Sequence, residues 1–182
     1  MAKWNIDSTH GQASFSAKHM MITTVRGTFN KVSGVINFDP ANPAAASVEA
    51  VIETTSMTTT GVEQRDQHLL SPDFLDVAKF PTITFKSTSV APYDNGSRAK
   101  ITGDLTIKDV TRSVVLDAEF HGTGTTPFGT NVAGFSGTTK INREDFGLTW
   151  NMALEAGGWL VGKDVNITLD VEAILEQAAT PA

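Results

Sequence analysis

Lys100-Ile-Thr-Gly-Asp-Leu-Thr-Ile107 alternates without a fault: Ile101, Gly103, Leu105 and Ile107 fall on one side of an extended chain, and Lys100, Thr102, Asp104 and Thr106 on the other. Side chains of a strand point to opposite faces with period two, so this octet specifies a strand with one apolar face and one wet face. The same rhythm runs outward in both directions. Downstream it recurs in Val114, Leu116, Ala118 and Phe120, in Ala133, Phe135, Gly137 and Ile141, and in Val165 through Ala173. Upstream it recurs in Phe15, Ala17 and His19, in the long segment from Val25 to Phe38, in Val48, Ala50 and Ile52, and in Ile83 and Phe85. That makes about eight strands, separated by turn signals such as FDPANP, APYDNGS and TPFGT. One apolar face per strand suits an all-β sheet that closes on itself or two sheets packed face to face, and the pattern alone leaves barrel and sandwich both open. Small residues recur in the inward phase, at Ala17, Gly27, Ala50, Gly103, Ala118 and Gly137; they either leave room inside or let strands bend.

The bulk properties narrow the classes. A chain of 182 residues with 40% apolar and 19% charged residues fits one globular domain. A net charge of -6 without any basic run argues against nucleic acid. There is no cysteine, hence no disulfide, thiol nucleophile or thiolate metal site. No apolar run is long enough to span a membrane. MAKWNIDSTH at the start lacks a secretory apolar core, so a cytoplasmic location is expected, or a periplasmic or secreted one if a leader is removed in maturation.

One segment breaks the strand rhythm. Thr60-Gly-Val-Glu63 fits a capping box with Thr60 as N-cap, and Val62, Asp66, Leu69 and Leu70 follow helical spacing until Ser71-Pro72. The spacing predicts a short amphipathic element between the third and fourth strands, with Leu69, Leu70, Phe74 and Leu75 covering something apolar.

These motifs resemble the YceI-like family, small lipocalin-like barrels that bind polyisoprenoids and related lipids. The resemblance rests on W-N-I-D-S-T-H at Trp4 to His10, F-S-A-K-H ending at His19 and V-R-G-T-F from Val25. It continues through R-D-Q-H-L-L-S-P-D-F from Arg65, F-P-T-I-T-F-K-S from Phe80, I-N-R-E-D-F-G-L from Ile141 and V-G-K-D-V-N-I from Val161. It implies that residues 1–182 form a single domain: an antiparallel eight-stranded barrel with a long apolar pore, a helical cap carrying Leu69, Leu70 and Phe74, and an isoprenoid or acyl lipid inside. It implies homodimers as well, and export for most members. Thr9-His10-Gly11 departs from the family's usual His-Ser after the first Asp, without touching the apolar positions.

Alternating apolar residues ordinarily make a packed core. With the resemblance, Phe15, Phe29, Ile36, Phe38, Ile52, Phe85, Leu105, Ile107, Leu116, Phe120, Phe135 and Leu169 become the expected pore lining. Arg65 and His68, three apart on a helix, share a face; either Asp66 and His68 tie the cap to neighbouring strands by hydrogen bonds, or Arg65 and His68 meet a polar or phosphorylated head group at the pore mouth. His19, in phase with Phe15 and Ala17, is either a satisfied buried imidazole or a pore-mouth group. No H-x-H or H-E-x-x-H exists, so a metal site requires long-range convergence, and none is expected. No nucleophile elbow occurs, and no cofactor other than a bound lipid is expected. The expected function is therefore binding, carrying or sequestering a long-chain amphiphilic lipid. The rivals are an enzyme using His19 or His68 as base on the bound lipid, and a filled barrel acting as an interaction module.

Overall fold

Each alternating run leaves a row of apolar side chains to bury and two rows of backbone groups to pair, and a sheet that closes on itself does both. The computed structural model, which describes residues 1–177, shows that closure. Nine strands follow one another: β1 (Ala2–His19), β2 (Thr23–Phe29), β3 (Val32–Phe38), β4 (Ser47–Glu53), β5 (Thr82–Tyr93), β6 (Arg98–Ile107), β7 (Val110–Thr125), β8 (Asn131–Asn142) and β9 (Val161–Leu175). All pairings are antiparallel, in the order β2-β1-β3-β4-β5-β6-β7-β8-β9, and β9 returns to β1. The barrel nevertheless has eight staves. β2 pairs the second half of β1 (Ala13↔Phe29 to His19↔Thr23) and β3 pairs its start (Ala2↔Phe38 to Asn5↔Val35), so the two are halves of one ribbon broken at Asn30-Lys31. The sequence reads that ribbon as a single strand because its apolar phase resumes immediately after the break.

Lys100–Ile107 lies within β6, with Ile101, Gly103, Leu105 and Ile107 all buried and Lys100 and Asp104 exposed. Two of the small inward residues leave no void. A methyl group on Gly27 would overlap the ring of Phe15, and one on Gly103 the ring of Phe85. Each ring lies against the wall where its neighbouring strand has no side chain, which seats the aromatic and keeps it off the axis. Ala17, Ala50, Ala118 and Gly137 do face open space.

The helix, α1 (Glu63–Leu70), lies between β4 and β5, the third and fourth staves. Its start corrects the capping-box expectation. Val62 is the N-cap and no side chain caps the helix. Thr60 instead donates both its backbone N–H (2.8 Å) and its hydroxyl (2.5 Å) to Asp66 Oδ1. These bonds, with further hydrogen bonding from Thr59, hold the Asp66 carboxyl below its usual range. An aspartate one turn into the helix thus satisfies the loop that Glu63 was expected to satisfy. After α1 the chain doubles back: Leu75 N–H bonds Leu69 C=O (3.0 Å) and Val77 N–H bonds Leu70 C=O (3.1 Å), which fixes the cap as one folded unit.

Candidate functional site

Two cavities follow one another along the barrel axis. The outer one, about 190 Å³, lies beneath α1 and is lined by Phe15, Phe29, Ile52, Phe85, Leu105, Ile107 and their inward neighbours. The inner one, about 100 Å³, is lined by Ile36, Phe38, Phe120, Phe135 and Val90 among others. Val48, Ala50, Leu116 and Leu169 line both, so the cavities meet at a waist formed by these four residues. All twelve residues named from the sequence therefore face one cavity or both. Deep inside, Phe38 meets Phe120 at 4.7 Å and Phe135 edge-on at 5.5 Å between ring centroids. An apolar cavity of ~150 Å³ in a protein core stays dry and binds small hydrocarbons, and the outer cavity alone exceeds that.

The cap closes the outer cavity with Leu69, Phe74 and Leu75. Leu70, named with these three from the sequence, is half-buried but does not reach the cavity wall. Across the mouth, Trp150 is wedged against the cap, 5.5 Å from Phe74 and 4.4 Å edge-on from His68 between centroids.

The polar candidates of the cap are occupied locally. Arg65 donates Nε to the Thr60 hydroxyl (2.8 Å) and Nη2 to the Thr60 carbonyl (2.7 Å). His68 Nε2 pairs with Asp73 Oδ2 at 2.9 Å. His19 sits half-buried at the end of β1, opposite Val161 and Thr23. None of the three lines either cavity. Arg65 and His68 share one side of the cap, but both point into its own hydrogen bonds.

One residue escaped the sequence reading. Arg143, 4% exposed, lies at the outer cavity in the inward phase of Gly137, Thr139 and Ile141. Its Nε donates to Gly162 C=O (2.8 Å), Nη1 to Leu148 and Trp150 C=O (2.5 and 3.0 Å), and Nη2 to Val161 C=O (3.2 Å). Among the described residues no carboxylate lies within ion-pair distance of it. Burial pushes its pKa below the ordinary arginine value, opposed by Glu144, though a guanidinium stays charged at neutral pH. The side chain clamps the two roots of the 148–161 loop to the barrel rim. The available signal was a charged residue in phase with Ile141 on a row of apolar residues broken only by Thr139 among residues 133–141.

Long-range convergence also occurs once on the outer surface. At the bulge between Ile6 and Gly11 of β1, Asp7, His10 and Glu172 of β9 bring ligand-type atoms within 4.8 Å of one another. His10 Nδ1 already meets Asp7 Oδ2 at 2.9 Å, and Thr9 donates twice to Asp7 Oδ1. The Asp7 hydrogen bond, with the charges of Asp7 and Glu172, raises the His10 pKa above its ordinary 6.5; the His10 and Thr9 hydrogen bonds lower Asp7 below its ordinary 3.8. His10 therefore stabilises the fold fully below pH 6.5, and this fades as pH rises through its folded value. Asp7 contributes above pH 3.8, and this fades as pH falls through its folded value. The pair is at full strength between those limits. Asp7→Asn is expected to lower the His10 titration midpoint followed by NMR, and an unmoved midpoint would refute the coupling.

The YceI-like domain family matches residues 4–173, and the chain belongs to that family. A UPF0312 protein of Vibrio cholerae is 42% identical over 139 residues, 76% of this chain and 72% of the relative. Another from Staphylococcus aureus is 36% identical over 173 residues, 94% and 97% of the two chains. Among solved structures, Burkholderia cenocepacia BcnA superposes with a TM-score of 0.77 at 26% identity, covering 92% of this chain and 98% of that one. The Campylobacter jejuni YCEI protein gives 0.71 at 35% identity, covering 88% and 90%. A polyisoprenoid binding domain from Saccharophagus degradans gives 0.71 at 13% identity, covering 95% and 98%, a likeness of fold.

Proposed function

We propose that this protein binds, and by binding carries or sequesters, a polyisoprenoid or similar long-chain amphiphilic lipid, with the tail laid along the two cavities and the head group left at the capped mouth. The observation that carries the reading is the pair of apolar cavities meeting at Val48, Ala50, Leu116 and Leu169. A filled barrel would have none of that space. Membership of the YceI-like family and the fold shared with a polyisoprenoid binding domain support the same reading. The head belongs outside because Arg143, the one charged residue on the outer cavity wall, already holds four carbonyls.

Each buried methylene contributes roughly 0.8 kcal/mol, so about ten carbons supply ~8 kcal/mol before the cost of ordering the tail. Selectivity then follows tail length and is coarse, a few-fold per methylene. The enzymatic alternative needs a proton acceptor at the tail or head, and His19 and His68 are both off the cavity walls. A binding function without turnover is the reading that fits.

Native mass spectrometry of the purified protein, followed by organic extraction, tests it: a bound long-chain lipid is expected, and a lipid-free protein that takes up no offered isoprenoid or fatty lipid overturns it. Phe120→Asp, which puts a charge in the inner cavity, is expected to abolish uptake in protein that retains its β-sheet circular dichroism. Undiminished lipid content in such a folded variant would remove the inner cavity from the site.

A further inference from the structure

We infer that the capped end of the barrel, where the β1–β2 turn and the 151–160 loop stand beside the mouth, is a docking surface for an anionic lipid bilayer. The inference rests on the lipid-binding reading and adds the partner from which the lipid is drawn.

Two loops build this surface. The turn joining β1 to β2 presents Met20, Met21 and Ile22, with Met21 and Ile22 exposed to 69% and 75%. Met20 and Met21 hold φ of 52° and 61°, a left-handed conformation uncommon for residues other than glycine, asparagine and aspartate. The second loop is a finger spanning residues 151–160. It is rooted between the cavity-lining Leu148 and Val161, tied at its base by Asn151 to Val161, and closed on itself by the Ala153↔Trp159 bridge. It presents Met152 and Trp159, each about half exposed. The loops touch: Met20 N–H bonds Leu160 C=O at 2.8 Å, and a methyl group on Gly158 would lie 3.0 Å from Met21 Sδ.

Five large apolar side chains thus protrude together, half of the ten that are exposed among the described residues. Their position is specific. Ala17 and Val161, a few residues from the tips, line the outer cavity, so the apolar rim continues into the pore. Tryptophan and methionine at a rim suit the interfacial zone of a bilayer, where an apolar body and a polar edge are both accommodated. A lipid tail leaving a membrane at this rim would pass from hydrocarbon to pore without exposure to water.

The charges choose the bilayer's sign. Lys18 and Arg26 lie side by side on the outer face just below the rim, opposite Thr24 and Ser16. Neither has an ion-pair partner among the described residues, although the protein carries a net charge of -6. The finger's one acid is Glu155. An apolar rim above a pair of free cations matches an anionic headgroup layer.

Flotation with vesicles of phosphatidylcholine, alone or mixed with phosphatidylserine, tests this. The protein is expected to float with the mixed vesicles and less with phosphatidylcholine alone. Met21→Asn, which suits the left-handed backbone, combined with Trp159→Ser, is expected to cut the bound fraction at least tenfold. Lys18→Glu with Arg26→Glu is expected to erase the preference for phosphatidylserine. Phe128→Ser removes an equally prominent apolar side chain, 93% exposed, from the β7–β8 turn at the other end, and is expected to change nothing. Protein that stays in the aqueous fraction with both vesicle types overturns the inference. So does a dimer that the Met21→Asn/Trp159→Ser pair dissociates, since the surface would then cover a second copy. Lipid content measured on the same preparations separates the two readings: lipid-laden protein that never docks refutes only the surface, and docking protein that never holds lipid refutes only the carrier.

Discussion

Arg143→Ala is expected to cost about 3–5 kcal/mol of folding stability, the largest loss from any single polar side chain in the barrel. Arg143 is 4% exposed, and its guanidinium gives hydrogen bonds to four carbonyls, those of Leu148, Trp150, Val161 and Gly162. Val161 keeps a donor from Asn151 Nδ2 at 2.8 Å. The other three lose the donor Arg143 supplied, and each buried acceptor left unsatisfied costs roughly 1–3 kcal/mol, part of it recovered where water can follow. For a domain of this size about 1 kcal/mol moves the thermal midpoint by roughly 2–4 °C, so the expected drop is about 6–20 °C. Arg143→Lys is expected to recover less than half, because one ammonium cannot span acceptors on both sides of a planar fork. Urea unfolding of the three proteins checks this. A loss below about 1 kcal/mol in Arg143→Ala would show that the loop roots hold without the clamp.

Arg143 also shows where the sequence stopped being readable. The strands were legible because period two is a local property: each apolar face is written within six to ten residues, whereas closure was not, since eight such faces suit a sandwich equally well. The positions facing the cavities were legible for the same reason, since phase alone decides inward or outward. What phase cannot say is whether facing rows meet or stand apart. Gly27, Gly103 and Ala50 were alike readable as room or as bends, yet the two glycines seat the rings of Phe15 and Phe85, whereas Ala50 does leave room. That difference lies in cross-strand register, which depends on residues far apart in the chain. The cap failed in a second way. Thr60 and Glu63 have capping-box spacing, yet Asp66 satisfies Thr60, because hydrogen-bond choice at a helix start depends on how the loop arrives. The choice for Arg65 and His68 between tying down the cap and meeting a head group stayed open because their partners, Thr60 and Asp73, belong to folded turns with no periodic signature. The Arg143 clamp, four carbonyls supplied by loops and β9, is likewise invisible to any local pattern.

Filling the waist of the barrel should shorten the lipid that the protein accepts. Ala50 lies on β4 between Val48 and Ile52 and lines both cavities, opposite Leu116 and Leu169 in the ring of four residues where they meet. Ala50→Phe would place its ring in cavity space that Ala50 lines, so its stability cost is expected to stay below the roughly 1–3 kcal/mol typical of overpacking a filled core. The outer cavity and its cap are left as they are. A long tail then loses its inner portion. About four methylenes kept from burial amount to ~3 kcal/mol, more than a hundredfold in Kd, while a tail short enough to end at the waist loses almost nothing. Extraction of lipid from wild-type and Ala50→Phe protein expressed side by side, with competition between lipids of graded chain length, checks both halves of the expectation. The informative quantity is the length at which affinity stops rising: it should fall in the variant and stay fixed in Phe128→Ser. If long and short tails weakened equally, the waist would not lie on the ligand's path, and the two cavities would be separate voids instead of one pore.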